Sequence, residues 1–197
     1  MKYIDEINSL PSLYKVELSA CFITDILAAL TYASTTKIMI EGIDEDVLSW
    51  RMIISALLGV FIGGAYIANK NKIFKHFQII NVTEIVLYGL LIAYLEITWN
   101  FNVYFLVAAV VGAFVGNFVV NGNMMLHEKI TDDENARVNF RLLQNITSRI
   151  STLAGAGAAL FVDFEIRTLF IVMFFGMTLD NIMMFYVYNK LPDDKKM

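Results

Sequence analysis

Apolar residues run almost without interruption through six stretches: Val16–Thr36, Met52–Ala68, Phe77–Thr98, Val103–Leu126, Phe140–Phe161 and Thr168–Tyr188. Charged residues gather in the gaps between them. A helix needs about 20 residues to cross about 30 Å of hydrocarbon, and each stretch is near that length. Backbone groups in lipid must be satisfied internally, which leaves helices or a closed barrel. A barrel would be written as ~10-residue segments of alternating polarity, whereas these runs are continuous. The pattern therefore predicts an all-α membrane protein of six transmembrane helices over residues 16–190. Residues 1–15 carry Ile4, Ile7, Leu10, Leu13 and Tyr14 at helical spacing, which suits an amphipathic segment on the membrane surface, with disorder as the plainer alternative. Thr131-Asp132-Asp133-Glu134 has the spacing of a capping box opening the fifth helix. Residues 191–197 form a polar tail.

Composition agrees. Hydrophobic residues make up 57% of the 197, the mean hydropathy is +0.59 and only 17% are charged, more apolar surface than a soluble domain can hide. Pro11 and Pro192 lie outside the apolar runs, so no span is kinked by proline. Cys21 is the sole cysteine, which excludes an internal disulfide. The first 15 residues lack the pattern of a cleaved signal peptide, so the first span is expected to remain. Charge then orients the chain. Eleven basic residues (Lys2, Lys15, Lys70, Lys72, Lys75, Lys129, Arg137, Arg141, Lys190, Lys195, Lys196) fall in the N-terminal, second, fourth and C-terminal inter-span segments. Lys37, Arg51 and Arg167 occupy the alternate ones. The positive-inside rule puts both termini in the cytoplasm of a plasma-membrane protein, with Trp50 and Trp99 at the outer interface.

Within the spans, polar residues need a reason, because a charge at mid-membrane costs about 2.5–3.5 kcal/mol on insertion scales. Asp25 and Arg149 each lie roughly ten residues into a span running the same way, which at about 1.5 Å per residue sets them at similar depth. They are candidates for an ion pair or a shared polar cavity: a substrate or proton site, a structural lock, or two groups without contact. Asp180, beside Asn181, is a candidate for proton coupling or for packing, and Glu84 for coupling or for snorkelling to the interface. Asn117 and Asn121 share a face of the fourth span that suits a wet cavity. Gly59-x-x-x-Gly63 with Gly64, Gly112-x-x-x-Gly116, and Ser151, Gly155 and Ala159 bring helices close, for sliding or for static packing. The acidic run Glu41 to Asp46, with Glu96, reads as a solvated outer rim before it reads as a cation site. His76 and His127 have no partner at metal-ligand spacing, and no nucleophile elbow, Walker loop or dinucleotide fingerprint occurs. Neither an enzyme, a cofactor, a metal nor a nucleic-acid partner is expected.

From the second to the fifth span, the order of features resembles the N-terminal six-helix half of a major facilitator superfamily transporter. After span 2 that superfamily carries Gly-x-x-x-Asp-Arg-x-Gly-Arg-Arg. Gly63-Gly64-Ala65-Tyr66-Ile67-Ala68-Asn69-Lys70-Asn71-Lys72 stands there in this chain, with Ala68 or Asn69 in place of the acid. Gly112-Ala-Phe-Val-Gly-Asn117, the loop Lys129 to Asn139 and Leu153-Ala-Gly-Ala-Gly-Ala158 are similar to the macrolide-efflux-like branch, without its span-5 proline. The resemblance implies two three-helix repeats related by an axis in the membrane plane. It implies a central cavity faced by spans 1, 2, 4 and 5, where Asp25, Asn117, Asn121 and Arg149 fall, and peripheral spans 3 and 6. It also implies a cytoplasmic gating loop at Gly64, Asn69, Lys70 and Lys72. A complete transporter of this kind has two such halves. The expectation is a half-size secondary transporter that moves a small solute by alternating access. It would work as a homodimer or with a second half, with proton coupling open to it through a carboxylate. The alternative is a non-transporting accessory, immunity or assembly subunit.

Overall fold

All six apolar stretches become helix, and most of the helices run past the stretch that predicted them at one end or both. The computed structural model describes the backbone of residues 7–161 and 165–196, and the side chains of these except at 35–42, 63, 66–73 and 166. Among the described residues the chain is helical throughout, without strands. The long helices are α1 (Ser12–Gly42), α2 (Glu45–Lys75), α3 (Phe77–Thr98), α4 (Phe101–Ile130), α5 (Glu134–Ala159) and α6 (Ile166–Lys190), followed by a short α7 (Asp193–Lys196). Four of them are long and apolar enough to cross a membrane: Ser12–Ser34 of α1, α3, α4, and Arg167–Lys190 of α6. α2 and α5 are not among these. For α5 the reason is plain: Arg141, Gln144, Asn145, Ser148, Arg149 and Ser151 interrupt its apolar positions.

The turns follow local chemistry. Pro11 precedes α1, its fixed φ of -52° leading into the first turn. α1 and α2 are joined through Ile43 and Asp44 alone, and Glu45 and Asp46 place negative charge at the N-terminus of α2, where the helix dipole favours it. The acidic run is thus a tight turn, in which Asp44 Oδ2 accepts from Asn102 Nδ2 at 2.8 Å. Trp99 ends α3 in the left-handed region at φ 52°, a place glycine usually takes. The Asn100 side chain then caps α4, accepting from Val103 N at 3.2 Å. Asp133, not Thr131, caps α5, accepting from Asn135 N at 2.9 Å and Ala136 N at 3.4 Å. Thr131 Oγ1 instead accepts from Asp133 N at 3.2 Å.

The helices alternate in direction, so the described N- and C-terminal residues share one end of the bundle. There Tyr14 Oη donates to His127 O at 2.8 Å, and Gln78 Nε2 donates to Asn189 Oδ1 at 2.7 Å. Lys129 Nζ donates to Lys195 O at 2.6 Å, and Lys195 Nζ to Asp132 Oδ2 at 2.9 Å. That last hydrogen bond, and the charge that makes it, hold the exposed Asp132 carboxyl below its ordinary range. At the opposite end Arg167 lies over the Trp99 ring at 4.7 Å and pairs with Glu96 at 3.6 Å.

Packing is by pairs. α1 lies chiefly against α5 and α6, α4 chiefly against α2 and α3, and α3 against α6. α2 and α5 are therefore the two edges of the bundle. Three apolar clusters hold it, two at the terminal end and one at the other. Phe74, Phe77, Leu126, Met184, Val187, Tyr188 and Leu191 form the first. Leu10, Tyr14, Leu18, Phe140 and Leu143 form the second, with the Tyr14 and Phe140 rings stacked at 4.1 Å. Leu10 and Tyr14 are buried, so the apolar stripe read as membrane-surface is in its described part a piece of the core; Ile4 lies outside the described residues. Ile43, Leu91, Leu95, Tyr104, Phe105 and Phe170 form the third.

The small residues divide by use. A Cβ on Gly155 would collide with the Ile26 carbonyl and stand 2.9 Å from Ala29 Cβ, so α1 and α5 meet backbone to backbone. A Cβ on Gly122 would stand 2.6 Å from the Phe77 ring. Gly59 and Gly64 of α2 meet nothing within 4 Å.

Candidate functional site

A cavity of about 710 Å3 opens in the half of the bundle farther from the described termini. Its wall begins with α4, whose helix is interrupted by a π-turn at Gly112–Gly116. Such one-turn insertions of a residue often mark functional sites. Ala108, Ala109, Gly112, Ala113 and Asn117 line the cavity from α4, and their small side chains make its volume. Gly112 is a close approach: a Cβ there would stand 3.1 Å from the Tyr88 hydroxyl, which comes from α3 and would have to give way by a few tenths of an ångström. Asn117 Nδ2 donates to Ala113 O at 2.6 Å, inside the π-turn. Asn121, one turn on, donates to Asn117 O at 2.7 Å.

Charge enters from two other helices. Asp25 of α1 lines the cavity, and so does Arg51 of α2. The Arg51 guanidinium lies 5.4 Å from the centroid of Phe105, which packs edge-on to Tyr104. Thr152 of α5, and Phe170 and Met173 of α6, complete the wall. The chamber is an apolar, aromatic-walled space with one carboxylate, one guanidinium, an amide and several hydroxyls converging on it. That is the general form of a small-molecule binding site.

The expected pair of Asp25 and Arg149 does not form. Their levels do match: Gln144 Nε2 reaches Cys21 Sγ at 3.7 Å and Gly155 packs on Ile26 and Ala29, so contacts above and below bracket both residues. Orientation separates them. At about 100° per residue, Gln144, Ser151 and Gly155 point towards α1 and Arg149 points to the far side of α5. Arg149 is exposed, and no ion pair or hydrogen bond reaches it among the described residues.

Below the cavity lies a second set of buried polar groups. Glu84 of α3 is 7% exposed and accepts at Oε2 from Asn181 Nδ2 of α6 at 2.8 Å. It is thus an interior group between α3, α4 and α6 and does not snorkel. Asp180, half-buried on α6, is within electrostatic reach of Glu17, Glu84 and Asp25, and it is not part of the cavity wall. Nearer the terminal end, Glu17 of α1 is fully buried and its carboxylate faces His127 Nε2 of α4. Phe140 lies edge-on to the His127 ring at 5.2 Å. Asn69, Lys70 and Lys72 lie in the last turns of α2, and their side chains fall outside the described residues. Gly64, before them, is exposed.

Of the residues expected to face a cavity, Asp25 and Asn117 line this one and Asn121 and Arg149 do not; Arg51, Tyr88 and the Glu17–His127 contact stood outside the sequence expectations. Arg51 had a signal. Asp44-Glu45-Asp46 is a helix-start pattern, and it carries the helix six residues upstream of Arg51, placing that residue inside α2. No protein-family model, curated protein or solved structure matches the chain.

Proposed function

We propose that the chain is one half of a secondary transporter, crossing the membrane six times with both termini cytoplasmic, and moving a small solute by alternating access at the Asp25–Arg51–Asn117 cavity. The observation that carries this reading is the cavity itself: a chamber walled mainly by α1 and α4 and reached by α2, α3, α5 and α6 as well, with a carboxylate, a guanidinium and an amide among its lining residues. Tyr88, Phe170 and Met173 bring spans 3 and 6 into this wall, so the expectation that only spans 1, 2, 4 and 5 face the cavity is corrected. The helix contacts support it. Exchanging α1 with α4, α2 with α5 and α3 with α6 turns the α1–α5 packing into α4–α2, and α1–α6 into α4–α3, and leaves α3–α6 unchanged. Two three-helix repeats related by a two-fold axis have this property. Repeats of this kind are also what the resemblance to a major facilitator half implies. The buried carboxylates below the cavity supply groups through which a proton could be exchanged with the solute, with Asp180 next in line after Asp25. In this reading α2 and α5 cross as well: Arg51 and Ser55 of α2 and Thr152 of α5 line the cavity, Gln144 and Ser151 of α5 face α1, and Arg149 lies on the open edge. Those edges leave room for a second half.

Proteoliposomes carrying the purified protein and a pH-sensitive dye, challenged with a panel of small solutes, test this. Solute-dependent flux is expected, falling at least ten-fold in Asp25→Asn. Folded protein with neither solute- nor proton-dependent flux would sink the transporter reading and leave an accessory subunit.

A further inference from the structure

We infer that the second half is a second copy of this chain, and that Asp25 of each copy pairs with Arg149 of the other. The inference rests on the half-transporter reading for the placement of these groups within the membrane. Asp25 lines the cavity and has no ion pair or hydrogen bond among the described residues. Arg149 has none either. The two stand at one level of the bundle, as the Cys21–Gln144 and Ile26–Gly155 contacts fix.

The face that carries Arg149 says what covers it. Arg141, Asn145, Arg149 and Thr152 recur at three- and four-residue spacing and are all exposed, forming a polar arc on α5. Leu142, Ile146, Ile150 and Leu153 form an exposed apolar arc beside it. Lipid would suit the second arc and not the first. The polar arc adjoins the cavity through Thr152, and the cavity lies between edges α2 and α5, which make no substantial contact. The surface around that opening therefore holds one unanswered acid and one unanswered base at equal depth. A two-fold axis through the opening answers both at once, because an isologous interface sets each residue against its complement twice. A foreign half would need its own matching pair; a second copy already has it.

The test uses differently tagged copies expressed together and purified in mild detergent. Wild-type copies should co-purify. Asp25→Arg alone, or Arg149→Asp alone, sets like charges against each other at both contacts, and co-purification should fall at least ten-fold. A mixture of Asp25→Arg copies with Arg149→Asp copies restores opposite charges at both contacts, and these copies should recover each other. Pairing within one chain predicts no such recovery. Should the reversals fail to fold, cross-linking decides. In a Cys21→Ser background, Asp25→Cys copies and Arg149→Cys copies should give a covalent dimer with a short bifunctional reagent when mixed. Wild-type copies that do not associate, or mixed cysteine variants that give no dimer, would overturn the inference. Association and flux are read separately, so dimers without flux reject only the transporter, and flux without dimers rejects only the pairing.

Discussion

Glu17 is fully buried, and what it meets there is His127, brought to it from the far part of α4. Removing one partner of a buried pair strands the other in a medium that cannot solvate it, at a cost of about 3–5 kcal/mol, whereas replacing both by apolar groups is often neutral. His127→Leu and Glu17→Leu should each lower the melting temperature in detergent clearly, and the double Leu variant should recover most of the loss. A double variant as unstable as the worse single one would mean that the pair is not the stabilising unit. Along the sequence, His127 stands as a lone interfacial histidine. The partnership is tertiary: no spacing rule relates residues on helices one and four. Asp25 and Asn117 were legible for the opposite reason, since a polar group in an apolar run stands out by itself. Within one chain the Asp25–Arg149 pairing is prevented by a quantity that depth does not contain, the direction a side chain takes around its helix.

Helix α5 joins the bundle by one face and offers two others. Its contact with α1 depends on Gly155, where a methyl group already collides with backbone. Gly155→Leu should separate α1 from α5 and cost about 1–3 kcal/mol, the usual range for overpacking. Gly64→Leu, in open space on α2, should change stability little. The measurement is thermal unfolding in detergent followed by tryptophan fluorescence, and equal losses at both sites would contradict the packing described. Helix number and order were legible, because continuous apolar runs separated by charge specify helices in lipid with little ambiguity. Helix ends were less so. α1 runs from Ser12 to Gly42, past both limits of its apolar stretch, since hydropathy marks where lipid is suited and capping marks where helix stops. The glycine motifs were half legible: the spacing is visible, but whether a helix lies opposite is not, and on α2 none does at Gly59 or Gly64.

At the scale of the whole molecule, the six long antiparallel helices of the described residues bring their N- and C-terminal parts to one end, where Lys195 binds Asp132 and Tyr14 binds His127. Protease added to one side of sealed vesicles should therefore cut tags fused at both termini, and a tag inserted between Trp99 and Asn100 only from the other side. Termini on opposite sides would overturn the even number of crossings. Under the proposed two-repeat reading, α4 departs from the exchange at its π-turn. Its counterpart α1 is an unbroken α-helix, whereas α4 takes up an extra residue at Gly112–Gly116. One extra residue turns everything beyond it by about 100° relative to a regular helix. α4 is thus a shaft keyed twice. Its upper part is cut to the cavity, its lower part to Phe77 and the Glu17 clasp, and the angle between the two keyways is set by five residues. A single-residue insertion or deletion there would leave each part helical and intact, yet mis-time one against the other.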